Sequence, residues 1–441
     1  MATAAPTSAG SLDRIIDDGR VTGQQLLVVG LCMLFNMLDG FDITAMAVVA
    51  SDVARDLELP SDQIGLILSA PLFGMMIGAM TVAPLSDLFG RRKLIIVSVS
   101  LVGASVLLTT QATTLAEFLA LRVISGLGAG AMLATQATLA AEYSPDKFRS
   151  LSVAAVTAGY PLGAMFTSVV AQEIVPSFGW PGVFWFGGGL TLAMGLVALL
   201  WLPESLKYLV ERQPPNALAR VNAILRRLDR EAITALPPKP PTLAEQGLVV
   251  ALRTLLAPAF VRVTLTMWLV FFLCFATLYF LMSWIPKLMI DSGFAREVAG
   301  QAFFLFNLGG VIGIFTMGLL ATRIMLTNII SVLKLLGAAG MIAFALAPSS
   351  EFILLAVIFL VGVTMQGGFT GMYSAAAKAY PTAIRSTGIG WCIGLGRSGA
   401  VISPYVAGLL IAGGFDMAEN FIFFAVPLAI GGLIAFTLRI R

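Results

Sequence analysis

Four charged residues interrupt long apolar runs, and they are the positions where this chain could do chemistry. Asp39 and Asp42 lie in the first run, Arg122 in the fourth and Arg397 in the eleventh. A charge near the centre of a bilayer costs on the order of 2.5–3.5 kcal/mol on the insertion scale, so each needs a partner or a task. The i, i+3 spacing of Asp39 and Asp42 puts both carboxyls on one helix face. Two carboxylates facing one cation can divide the work, one pairing with it while the other exchanges a proton. The chain has no histidine, so any proton relay must run through carboxylates. A permanent ion pair that only ties helices together is the competing reading.

Depth along the runs supports a meeting of these groups. At about 1.5 Å per residue, Asp39 lies roughly 22 Å into its run and Arg122 roughly 10 Å in from the other side. In a core of about 30 Å these levels coincide. Arg397 lies roughly 16 Å deep, near the midplane. Its guanidinium matches a carboxylate bidentately; the alternative is a tie to backbone carbonyls.

The elements that must position these groups are spanning helices. The 441 residues are 58% hydrophobic and 12% charged, against about 25% charged in an ordinary soluble domain. Twelve apolar runs of membrane-spanning length follow: 24–49, 62–86, 92–111, 115–141, 149–172, 180–202, 260–285, 298–321, 328–347, 352–376, 386–412 and 419–438. The expected fold class is therefore an all-α membrane protein of twelve transmembrane helices. Lys and Arg crowd one side of them (Arg91, Arg92, Lys93, Lys147, Arg149, Arg323, Lys378, Arg385), and only Arg55, Lys287 and Arg296 take the other. The positive-inside rule then puts both termini in the cytoplasm. Residues 1–20 lack the apolar core of a signal peptide. The net charge of +3 does not suggest nucleic acid. Cys32, Cys274 and Cys392 lie in apolar runs without metal-ligand or disulfide spacing. No metal and no cofactor are expected.

An internal repeat divides the chain. Gly74 and Gly78 have counterparts 235 residues later in Gly309 and Gly313; Pro145, Arg149-Ser150 and Gly163 have counterparts 236 residues later in Pro381, Arg385-Ser386 and Gly399. Two pseudo-symmetric six-helix bundles are expected, residues 1–202 and 259–441. Between them residues 203–258 form a cytoplasmic linker, in which Leu218, Val221, Leu225 and Leu228 predict a short amphipathic helix on the cytoplasmic face of the membrane; a mere tether between the halves is the alternative. Parallel repeats of this kind mark secondary transporters.

Several motifs then resemble one family. Pro84-Leu85-Ser86-Asp87-Leu88-Phe89-Gly90-Arg91-Arg92-Lys93 resembles the signature loop of the major facilitator superfamily, with Ala83 and Leu88 departing from the usual Gly and basic residue. Arg122-Val123-Ile124-Ser125-Gly126-Leu127-Gly128 and Pro203-Glu204-Ser205 resemble two further motifs of that superfamily. Asp39-Gly40-Phe41-Asp42, the stretch Tyr380 to Gly388 and Gly396-Arg397-Ser398-Gly399 are similar to the aromatic acid:proton symporter family. The resemblance implies the major facilitator fold, a monomer in the bacterial inner membrane, and proton-driven uptake of a small aromatic carboxylate such as a hydroxybenzoate. Asp39, Asp42 and Arg122 are then the proton-coupling candidates, and Arg397 holds the substrate carboxylate. Gln136, Tyr160, Phe275, Tyr279, Asn307, Gln366 and Trp391 are candidate cavity walls, although single aromatics more often face lipid. Asp87, Gly90, Arg91, Arg92, Glu142, Arg149 and Arg385 are candidate gating residues. Carriers of other organic anions, a sugar porter or exporter of the same fold, and a membrane sensor are the alternatives. The residues offer no nucleophile–base set for an enzyme.

Overall fold

The structure, a computed structural model, describes residues 21–237, 253–321, 323–347, 350–380 and 384–438. Pro381 and the side chain of Arg385 lie outside the described residues. The first half comprises α1 (Gly23–Asp56), α2 (Ser61–Ile77), α3 (Ser86–Phe89), α4 (Arg91–Thr109), α5 (Leu115–Glu142) and α6 (Asp146–Trp201). Two short helices follow, α7 (Leu206–Arg212) and α8 (Ala217–Arg227). The second half contains α9 (Val261–Asp291), α10 (Arg296–Leu320), α11 (Leu326–Leu346), α12 (Glu351–Ala379), α13 (Arg385–Ala412) and α14 (Met417–Ala435).

Among the described residues, eleven helices are long and apolar enough to cross a membrane. One of them, the 56-residue α6, is two spans in one: Gly179 leaves helical geometry at φ 66° and ψ −175°. The sequence predicts a loop after residue 172, but the helix runs on to this single break. Gly179 supplies the positive φ, and Pro181 suits the first turn of the next span. Twelve spans result. The second span also changes pitch, through a π turn at Gly78–Val82 and a 3-10 turn at Ala83–Leu85.

The repeat has a physical meaning in the packing. Gly74 and Gly78 let α2 approach the backbone of α5 at Val123 and Leu127, and Gly126 and Gly130 return the contact at Pro71 and Met75. In the second half Gly309 and Gly313 of α10 meet Phe359 and Val363 of α12, answered by Gly362 at Phe306. Gly163 packs α6 against α1 at Met37, and its counterpart Gly399 packs α13 against α9 at Phe272. Small residues permit such approaches, and in lipid the close van der Waals packing drives helix association.

The amphipathic helix in the linker forms as α8. Its apolar face does not lie on lipid, however. Val221, Leu225 and Leu228 are buried, in one cluster with Cys32, Tyr143, Leu202 and Leu209 at the basic end of the first half. Burial against these apolar groups satisfies the helix within the protein.

Candidate functional site

α1 and α5 bring the intramembrane charges together. Arg122 donates through Nη1 to Asp42 Oδ1 at 2.8 Å and through Nη2 to the Asp42 main-chain oxygen at 2.8 Å. Both side chains are buried, and the guanidinium lies 5.4 Å over the ring of Phe184. Depth alone allows Arg122 either carboxylate, and helix rotation settles it on Asp42. Asp39, one turn earlier, faces Gln136 instead. It is fully buried, with the neutral Gln136 amide beside its carboxyl and no ion pair to a cation among the described residues. The Gln136 side chain is itself fully buried. An ionised carboxylate in such a place costs several kcal/mol unless it is compensated, which sets Asp39 apart from the paired Asp42.

The second half faces this cluster with a cationic, aromatic wall. Arg397 is 8% exposed, its Nε has no partner, and its neighbours include Tyr160 of the first half and Tyr373 of α12. Tyr160 also neighbours Tyr279 and Asp39. Phe275 stacks parallel to Tyr279 at 6.0 Å and meets the edge of Phe369 at 4.9 Å, and Phe369 contacts Tyr373 at 5.3 Å. Trp268 and Trp391 pair at 5.9 Å. Phe275, Tyr279, Tyr160 and Arg397 are thus one neighbourhood. Asn307 is more self-contained, because its amide donates to the Phe303 carbonyl of its own helix at 2.8 Å. Gln366 packs against Gly310 between α10 and α12. A guanidinium beside stacked rings can hold a planar anion by charge and by face.

At the basic end, Arg91 is the hub. It pairs with Asp87 at 3.1 Å and Glu142 at 3.0 Å, and donates to Ser205 Oγ at 2.8 Å. Ser205 in turn donates to Glu142 at 2.6 Å. Gly90 adopts φ 101°, and the Glu204 carboxyl packs where a Cβ would stand. Glu204 accepts from the Arg92 amide at 3.0 Å. Arg149 pairs with Asp146, outside this hub. The predicted gating residues Asp87, Gly90, Arg91, Arg92 and Glu142 therefore join α3, α4 and α5 to the start of the linker, all within the first half.

Four functional candidates escaped the sequence reading. Phe369 and Tyr373 complete the aromatic wall; with Gln366 they stand at i, i+3 and i+7 on α12, the spacing that could have exposed them. Asp52 of α1 pairs with Arg296 of α10 across the two halves at 2.5 Å. Lys334 of α11 is 1% exposed with no partner for its ammonium, inside the apolar run 328–347. Among the described residues no metal-binding cluster occurs.

The Major Facilitator Superfamily model matches residues 32–351 and 267–441. The chain is 32% identical to the 4-hydroxybenzoate transporter PcaK of Pseudomonas putida, over 97% of this chain and 96% of that one. It is 30% identical to the gallate transporter of Pseudomonas putida, over 93% and 91%. The inward-open xylose transporter XylE from E. coli superposes with a TM-score of 0.74 at 16% identity, covering 94% of this chain and 96% of that one. Sequence motifs, repeated packing and these matches agree that the chain belongs to the Major Facilitator Superfamily.

Proposed function

We propose that the protein is a proton-coupled symporter that imports a small aromatic carboxylate, of the hydroxybenzoate class, across the bacterial inner membrane. Both termini are then cytoplasmic, with the basic end facing the cytoplasm. The protein works as a monomer, and the proton is its coupling ion in place of any cofactor. The observation that carries the reading is the placement of Arg397, a buried cation among stacked rings, opposite an unpaired Asp39. Relatives named for 4-hydroxybenzoate and gallate transport support the substrate class.

In this reading Arg397 takes the carboxylate, and Phe275, Tyr279, Phe369 and Tyr373 hold the ring. Asp39 is the proton carrier, because it has no ion-pair partner to lose. Arg122 and Asp42 form the fixed pair that orients α1 against α5. Binding energy from both ligands then favours the motion of one half against the other. Uptake of labelled 4-hydroxybenzoate into proteoliposomes tests this. Accumulation should require an inward proton gradient and should be lost in Asp39→Asn, while Arg397→Gln should abolish binding. Accumulation that ignores the gradient would refute the coupling, and stabilisation by sugars but not by aromatic acids would refute the substrate.

A further inference from the structure

The two halves meet closely at the end away from the basic cluster. Gly65 of α2 abuts the Pro404 backbone of α13, Gly408 of α13 abuts that of Ser61, and Gly300 of α10 packs on Gln172 of α6. A pocket between Val48, Gln172 and Arg296 encloses about 10 Å³, room for one water at most. In this seam lies Asp52–Arg296, the one ion pair between described residues that crosses from one half to the other. The Asp52 side chain is 5% exposed, and that of Arg296 is 28% exposed. Asp52 Oδ2 and Arg296 Nη1 have no hydrogen-bond partner. Arg55 also reaches Asp52, at 3.1 Å, but from the same helix and with its own side chain 73% exposed.

We infer that Asp52 and Arg296 form a reversible latch that holds the outer end shut, and that transport requires it to break and re-form in each cycle. The physical basis is balance. A buried ion pair gains little net energy over its hydrated parts, because desolvation offsets attraction. The glycine contacts close the seam by shape, whatever the charge, whereas the ion pair adds a directional lock that water replaces as the seam opens. Asp52 lies on α1, the helix that also bears Asp39 and Asp42, so movement of that helix reaches all three. The inference rests on the symporter reading only for its place in transport. The accessibility measurement below needs no substrate, so the two can fail separately.

Ala299 lines the seam and is 1% exposed, and the three native cysteines are buried. Ala299→Cys should therefore react slowly with a membrane-impermeant maleimide added from outside. Adding Asp52→Asn or Arg296→Gln should speed labelling about tenfold, the ratio given by roughly 1.4 kcal/mol of lost coupling. Arg55→Gln should leave the rate unchanged, and the exchanged pair Asp52→Arg with Arg296→Asp should restore most of the protection. Gln172→Cys, across the seam, is an independent reporter if the first cysteine disturbs packing. Equal rates in all variants, or acceleration by Arg55→Gln as large as by Arg296→Gln, would overturn the latch.

Discussion

Neutralising Asp42 and neutralising Asp39 should have opposite consequences, although the two carboxyls lie one helical turn apart. Asp42 takes a 2.8 Å hydrogen bond from Arg122, and both side chains are sealed from solvent. Removing one member of a buried pair leaves the other uncompensated, at a cost of about 3–5 kcal/mol. Unfolding entropy of about 2.1 cal/mol/K per residue over 441 residues gives roughly 0.9 kcal/mol/K. A loss of that size then lowers the melting temperature by at least about 3–5 °C, because spanning helices that stay helical on denaturation release less entropy than a soluble chain. Asp39 has no ion pair to lose and its neighbour is the neutral Gln136 amide, which an asparagine can also meet, so Asp39→Asn should melt at or above the parent temperature. The buried cysteines permit a direct assay, in which a thiol-reactive dye reports their exposure during a thermal ramp in detergent. Arg122→Gln and Asp42→Asn should fall together, and the double variant should fall by less than the sum. Destabilisation by Asp39→Asn equal to that by Asp42→Asn would refute the division of labour between the two carboxyls.

Three further outcomes are expected. Arg397→Lys should weaken 4-hydroxybenzoate binding by about tenfold or more, because charged hydrogen bonds contribute about 1.5–3 kcal/mol; unchanged affinity by calorimetry would remove Arg397 from the site. Gly90→Ala should destabilise by about 1–3 kcal/mol, since it combines a glycine-only conformation with a clash against Glu204. Gly30→Ala, whose Cβ would meet no atom within 4 Å, is the control, and equal melting of the two variants would contradict this account. Lys334→Met should raise the melting temperature, because on the order of 2.5–3.5 kcal/mol of intramembrane charge cost disappears with no bond broken; a lower temperature would mean that the ammonium has a partner in the working protein.

Much of the architecture was legible because membranes impose simple rules. The span count, the basic asymmetry and the paired glycines followed from composition and spacing, and the repeated glycines became helix seams in both halves. The level at which Arg122 meets a carboxylate followed from rise per residue alone. Which carboxylate it meets did not, because that depends on rotation of α1 about its axis, and Asp39 and Asp42 share a face too broad to separate. The wall of rings between α9 and α12 was half visible. Phe275 and Tyr279 stood out in an aromatic-rich run, but Phe369 and Tyr373 are scattered among glycines. Asp52 sits near the end of a span, where charge needs no excuse, and its partner lies 244 residues away. The linker helix was found from its periodicity, yet an amphipathic stripe does not say whether lipid or protein will cover it.

The proton-carrying candidate Asp39 and its neighbours belong to the first half, whereas Arg397 and nearly all the stacked rings belong to the second. On the symporter reading, fuel and cargo ride on separate bodies that touch only across a moving boundary. A change of ring chemistry in the second half can then alter what is carried while the energy input in the first half stays intact. One powered half could thus serve a succession of cargo-selecting halves, with retuning of specificity confined to a single bundle.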